Sequence, residues 1–261
     1  MIKMRRWFKR ALVLTAAGGL ITLFCWIAAE RSSALCQEVV VRIHHSNGIF
    51  TTRDDVHRAI AAIGMPVVGE PLSSIDLKRI EQAVRTLPYY KEILVYTSVQ
   101  NHVVVECTER NALMRLIDRD GKQALLDAEG CVFPLPAGPS PRLPVLSLAF
   151  PMAAQAQDAE QMLQCDTGPQ WLHEAFAYAN LLYRDPFLLM QFQQTLLKAD
   201  GELVVYPQVG NHTISLGTMQ HMDEKINNLK MFYQKGIDEA TWNSFADINL
   251  KYKDQIVCTK K

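Results

Sequence analysis

The sequence predicts an α+β protein built from an N-terminal transmembrane helix, a compact βααββ module, and a mixed β domain with two flanking helices. Three observations predict it. An uncharged apolar run follows a basic N-terminus. Two amphipathic helical stripes then lie between β-branched runs before residue 110. From residue 111 onward, short β-prone runs are punctuated by turn residues, with only two helical stripes among them.

Lys3, Arg5, Arg6, Lys9 and Arg10 crowd the first ten residues without an acid, and residues 11–29 (ALVLTAAGGLITLFCWIAA) carry no charge. A helix rising about 1.5 Å per residue crosses most of a ~30 Å hydrocarbon core over that length. The basic end predicts a cytoplasmic tail at 1–10, a span at 11–29 and a fold outside the cytoplasm. Trp7 and Trp26 lie near the two ends, where indole favours the headgroup interface. A cleaved signal peptide competes, with a small-x-small site at Ser32 to Ala34. Against it, the apolar run exceeds the roughly 7 to 15 residues of a signal core, and Glu30-Arg31 separates it from that site. Cys36 lacks the flanking residues of a lipoprotein site. Lys plus Arg and Asp plus Glu balance at 27 each, so charge points to no nucleic-acid partner.

Residues 39–43 (VVVRI), bounded by Asn47-Gly48, read as a strand entering a turn. Thr52 can cap a first helix whose stripe is Val56, Ala59, Ile60 and Ile63, stopped by Gly64 and Pro66. Ser73, with Asp76 three residues on, is the expected cap of a second, carrying Leu77, Ile80, Val84 and Leu87 before Pro88. Residues 92–99 and 102–108 form a hairpin around Gln100-Asn101, completing βααββ over 38–110. Strands follow at 113–117, 123–126 and 131–135, and the four prolines of 135–144 make a connection. A helix runs from Pro169 to about Arg184 on Leu172, Ala175, Phe176, Ala179 and Leu182. Strands at 194–198, 203–206 and 212–216 precede a last helix on Met222, Ile226, Leu229 and Tyr233. Ile248, Leu250 and Tyr252 alternate with polar residues, and Ile256-Val257 extend a closing β-prone segment.

Chemistry is sparse. No Gly-rich phosphate loop, nucleophile elbow or H-E-x-x-H occurs, and no catalytic residue, metal site or cofactor is expected. Adjacent strand residues His44 and His45 point to opposite faces and cannot readily share a metal. Asp118-Arg119-Asp120-Gly121 opens like a calcium loop but lacks its later ligands, so a hairpin turn is expected. The charged run 106–110 reads as solvated strand-end charge. Of six cysteines, none is in C-x-x-C spacing. The four dispersed ones (Cys107, Cys131, Cys165, Cys258) allow three full pairings, with single buried thiols the simpler reading.

Residues 50–56 (FTTRDDV), 69–80 (GEPLSSIDLKRI), 87–96 (LPYYKEILVY), 103–110 (VVVECTER), 115–127, 131–135 and 248–257 (INLKYKDQIV) resemble, in this order, blocks of the FtsQ/DivIB family of bacterial division proteins. Residues 149–166 have no counterpart. The resemblance implies a POTRA domain at 38–110 and an FtsQ-type β domain at 111–261, on a single-pass inner-membrane protein of the division septum. It implies a non-enzymatic scaffold that binds an FtsB/FtsL-like coiled-coil pair through the β domain and other division proteins through POTRA, with septal wall-synthesis proteins also among its partners. Strand addition is the expected mechanism, because a terminal strand presents unpaired main-chain groups. The expected edge is Tyr252, Lys253, Asp254, Gln255, Ile256 and Val257, with Tyr252 supplying apolar area and Lys253, Asp254 and Gln255 a polar rim. An outer-membrane assembly component would show tandem POTRA modules or a barrel, and a tethered envelope enzyme would show a catalytic constellation. The sequence displays neither pattern.

Overall fold

The computed structural model describes residues 15, 18–23, 34–48, 50–136, 141–152, 164–235, 244–252 and 255–261. Thr15 and residues 18–23 are helical and exposed. The 1–10 tail and the rest of the predicted 11–29 span lie outside the described residues. Among the described residues, no helix is long and apolar enough to cross a membrane.

The chain forms two compact units. The first takes the described residues up to Ile43, Arg53–Val84 and Glu92–Cys107. The second takes His44–Thr52, Arg85–Lys91 and Thr108–Lys261.

β1 (Glu38–His44), α1 (Arg53–Ala61), α2 (Leu77–Arg85), β2 (Tyr90–Thr97) and β3 (His102–Glu109), all but their end residues in the first unit, realise the βααββ order, with β3 central in the sheet β1-β3-β2. Val56, Ile60, Ile80 and Val84 are buried on the helices, and Val103, Val105 and Cys107 on β3, as amphipathic elements sharing one core require. The second helix starts later than its expected Ser73 cap. Residues 71–74 form a turn in which the Ser74 N–H donates to the Pro71 carbonyl. Asp76 is the cap, its carboxylate accepting from the Arg79 N–H at 3.1 Å. The β2–β3 turn needs Asn101 at φ 62, a left-handed conformation that asparagine tolerates.

The second unit holds a nine-stranded sheet. Its strands are β4 (Ala112–Ile117), β5 (Gln123–Asp127), β6 (Val132–Pro134), β7 (Val145–Leu148), β8 (Gln194–Leu197), β9 (Leu203–Tyr206), β10 (Thr213–Gly217), β11 (Phe245–Asn249) and β12 (Val257–Lys260), in the order β12-β11-β10-β9-β8-β7-β4-β5-β6. Neighbours pair antiparallel except β4–β7, β7–β8 and β10–β11, which are parallel. Helices α3 (Gln170–Arg184) and α5 (Met222–Lys235) pack on it. Leu172, Tyr178, Leu182 and Leu229 are fully buried in one cluster with Leu116, Leu146, Leu197 and Ile214. Truncating any of these leucines to alanine costs about 2–5 kcal/mol. The Tyr178 hydroxyl is satisfied 2.7 Å from Thr195 Oγ1.

Two elements go beyond the sequence reading. A third helix, α4 (Pro186–Gln191), joins the two expected, because the Asp185 carboxylate caps it by accepting from the Phe187 N–H at 3.1 Å and Pro186 sits at its first turn. Strand β7 lies inside the sheet, in the four residues between the 135–144 connection and the unmatched 149–166 segment, to which the sequence reading gave no element. Four residues between prolines carry too little periodicity to signal a strand.

The charged run 106–110 also departs from expectation. Glu106 is partly exposed, accepting from Arg42 at 3.0 Å and from the Tyr96 hydroxyl at 3.1 Å. Glu109, in contrast, is fully buried in the second unit. Its Oε1 accepts from the Phe50 and Thr51 N–H groups and the Thr51 hydroxyl, and its Oε2 lies 2.8 Å from His45 Nδ1. Arg110 donates to the buried Asp127 at 2.7 Å. These charges staple 44–52 and 111–127 together, and this satisfied network makes their burial tolerable. Asp118 likewise closes the β4–β5 hairpin, its Oδ1 accepting from the Asp120 and Lys122 N–H groups and its Oδ2 from Met152 N–H. Burial opposes its ionisation, but those donors outweigh burial and hold its carboxyl below the usual range.

Candidate partner edge of the large sheet

Strand β12 ends the nine-stranded sheet and, among the described residues, pairs with β11 alone, in the register Asn249↔Val257, Ile248↔Cys258 and Asp247↔Thr259. Its other side therefore carries a row of main-chain donors and acceptors without a strand partner among the described residues. The strand beneath is firmly seated. Asp247 Oδ1 accepts from the Thr213 hydroxyl at 2.7 Å and the Ser215 hydroxyl at 3.0 Å, tying β11 to β10, while Ile248 is fully buried. After β11 the Leu250 N–H donates to the Ser215 carbonyl, and Asn249 Oδ1 accepts from the Lys251 N–H at 3.0 Å. That asparagine turn ends the alternation read as one continuous strand segment and sends the chain back as a hairpin.

The predicted edge residues divide accordingly. Tyr252 is 55% exposed in the connection, and Gln255 is exposed beside it. Lys253 and Asp254 lie outside the described residues. Ile256 is half-buried against the main core, and Val257, exposed, is the first residue of β12. The sequence reading left out Cys258, Thr259 and Lys260, which form the rest of the strand. The β-prone Val257 and Thr259 before the terminal lysines were the available signal. Cys258 packs half-buried on the core, and burial together with the Asp247 charge raises its pKa.

A groove of about 180 Å³ adjoins this connection, lined by His221 just before α5, by Lys225 and Asn228 of α5, and by Leu250, Lys251 and Tyr252. Lys225 Nζ donates to the Thr218 carbonyl at 2.8 Å, and burial lowers its pKa.

The opposite end, β6, is closed differently. Pro134 has no N–H to offer, Cys131 forms a bridge with Gln164, and the Cys165 N–H donates to the Gly130 carbonyl at 2.9 Å. Gly130 is required there: its φ is 78°, and a Cβ would sit 2.7 Å from Cys165 Cβ.

Cys36, Cys131, Cys165 and Cys258 are free thiols, and burial pushes Cys131 up to about 11. Such a thiol is a poor nucleophile. Among the described residues no group of three or more His, Cys, Asp or Glu could hold a metal ion.

The family model described as FtsQ/DivIB, C-terminal related, matches residues 111–259, more than half of the chain. The chain belongs to the FtsQ/DivIB family. A POTRA-like domain model matches residues 34–108, the stretch that holds the βααββ fold. No curated protein matches the sequence. FtsQ/DivIB membership and a POTRA-like module fit a division-scaffold role, and both are generally non-enzymatic. In this member of the FtsQ/DivIB family, the open end of the large sheet is the C-terminal one.

Proposed function

We propose that the chain is a non-enzymatic scaffold of the septal machinery. It is held in the inner membrane by a single span at 11–29, with its N-terminus cytoplasmic and its folded part outside the cytoplasm. A POTRA domain at 38–110 recruits other division proteins, the β domain at 111–261 binds an FtsB/FtsL-like coiled-coil pair, and septal wall-synthesis proteins are further partners, so that early and late division proteins are linked. The observation that carries this reading is the terminal position of β12, whose free side can accept an incoming strand through main-chain bonds. Tyr252, Gln255 and Val257 stand exposed at its head to set register, with Ile256 anchoring them to the core; Lys253 and Asp254, outside the described residues, keep the polar-rim role expected of them from the sequence. No cofactor and no nucleic acid enter this function.

The test is retrieval of partners from membranes by tagged full-length protein and its Ile256→Pro form, with circular dichroism verifying that both fold. Proline removes an N–H and fixes φ at the entry to β12. The expected result is that small coiled-coil division proteins accompany the parent and not the variant. Equal retrieval by both forms would misplace the edge, and retrieval by neither would remove the scaffold reading.

A further inference from the structure

We propose that Glu202, on the β8–β9 turn and outside the edge itself, is a positioning residue for partner binding: it anchors Lys251 and so fixes the adjacent Tyr252 at the head of the docking edge. The inference rests on the reading of β12 as that edge. Glu202 has a fixed backbone. Its N–H donates to Asp200 Oδ1 at 3.1 Å, its carbonyl accepts from Lys198 N–H at 2.9 Å, and the Gly201 N–H closes the turn on the Lys198 carbonyl. From that platform the carboxylate holds Lys251 Nζ at 2.5 and 2.6 Å from its two oxygens, and Lys198 Nζ at 3.1 Å. Hydrogen bonds from Lys251 first, and Lys198 next, hold the Glu202 carboxyl below its ordinary range.

Lys251 is constrained from two further directions. Its N–H is bound by Asn249 Oδ1, and its stem passes Gly217 so closely that a Cβ there would meet Lys251 Cγ at 3.1 Å. Gly217 lies at a register irregularity of β10 with φ 71°, so the bulge and the missing side chain together make room for the lysine. An edge whose leading residues are already ordered costs a partner less conformational entropy on docking. Removing the carboxylate also leaves the Lys198 and Lys251 ammonium groups facing each other without their shared counter-charge, which drives Lys251 and Tyr252 away from their seat.

The test titrates full-length protein in detergent with the purified FtsB/FtsL-like pair of the same organism. It compares the parent with Glu202→Gln, Lys251→Gln, both changes together, and Ile256→Pro, at low and high salt. Glu202→Gln and Lys251→Gln should each weaken binding about threefold to fivefold, and the double variant should be no worse than either single one. Raising salt should weaken the parent but partly restore Glu202→Gln, since screening relieves the lysine repulsion. Amide exchange at Tyr252 should quicken in unbound Glu202→Gln, a readout independent of the partner. If Ile256→Pro abolishes binding while Glu202→Gln binds as the parent does, or if the two single changes simply add, Glu202 is only a surface ion-pair partner. If Ile256→Pro itself binds normally, the edge reading fails and this inference with it.

Discussion

The two ends of the nine-stranded sheet solve the same physical problem in opposite ways. Any terminal strand offers unpaired main-chain groups to whatever extended chain it meets. At β6 the offer is withdrawn: Pro134 removes a donor, the bridge from Cys131 to Gln164 covers the strand's start, and the Cys165 N–H seals the Gly130 carbonyl. At β12 nothing comparable is present among the described residues, and exposed Tyr252 and Val257 stand at its head. A chain that can blunt one edge so thoroughly has the means to blunt the other. The asymmetry supports the proposed docking role of β12, and it can be broken by making the closed end fail or the open end inert.

The largest effect is expected at the closed end. Gly130→Ala places a Cβ 2.7 Å from that of Cys165 at a backbone with φ 78°, and both the overlap and the left-handed strain must be relieved by moving the 164–165 segment. A loss of about 2–3 kcal/mol in urea unfolding is expected, with partner affinity unchanged. Lost affinity with unchanged stability would mean that the two ends are not functionally distinct. At the open end the sign of the pattern reverses. Tyr252→Ala removes a ring that is 55% exposed, so unfolding should be nearly unaffected, while affinity for the FtsB/FtsL-like pair falls about tenfold. A variant that instead unfolds more readily would mark Tyr252 as a packing residue.

The contrast between the ends was only half legible in the sequence. Apolar periodicity and turn residues disclosed the βααββ module and most strands of the large sheet, because those signals act over neighbouring residues: Val56 and Ile60 on α1, or Asp200-Gly201 between β8 and β9. Strand β7 escaped because its burial is granted by β4 and β8, distant in the chain and parallel to it on both sides. Glu109 and Arg110 read as solvated charge for the same reason: their partners, from His45 to Asp127, are supplied by the fold and not by their neighbours in sequence. At the candidate edge, the apolar and polar alternation of residues 248–252 was visible, but the hairpin depends on one side-chain bond from Asn249 and on Lys251 reaching Glu202, 49 residues away. Which strand lies at an edge is a property of strand order, and alternation within one strand does not encode it.

The smallest predicted effect separates the ends by the sign of their response to acid. Near β12, the Lys251 and Lys198 hydrogen bonds lower the Glu202 pKa, so its contribution is present above the unfolded value, near 4.5, and fades as pH falls through the lower folded one. Near β6, burial raises the Asp127 pKa against the Cys131 N–H and the Arg110 guanidinium, so the folded state there binds its proton more readily than the unfolded chain does. Stability from that carboxyl declines as pH rises from 3.8 through the raised folded value, and recovers on acidification. Urea unfolding between pH 3 and pH 6 should therefore show the gap between the parent and Glu202→Gln closing toward acid. The gap between the parent and Asp127→Asn should shift toward the parent over the same interval. Parallel curves for the two pairs would mean that the β6 end is held by its Arg110 ion pair more than it is penalised by burial, and that the two ends are electrostatically alike.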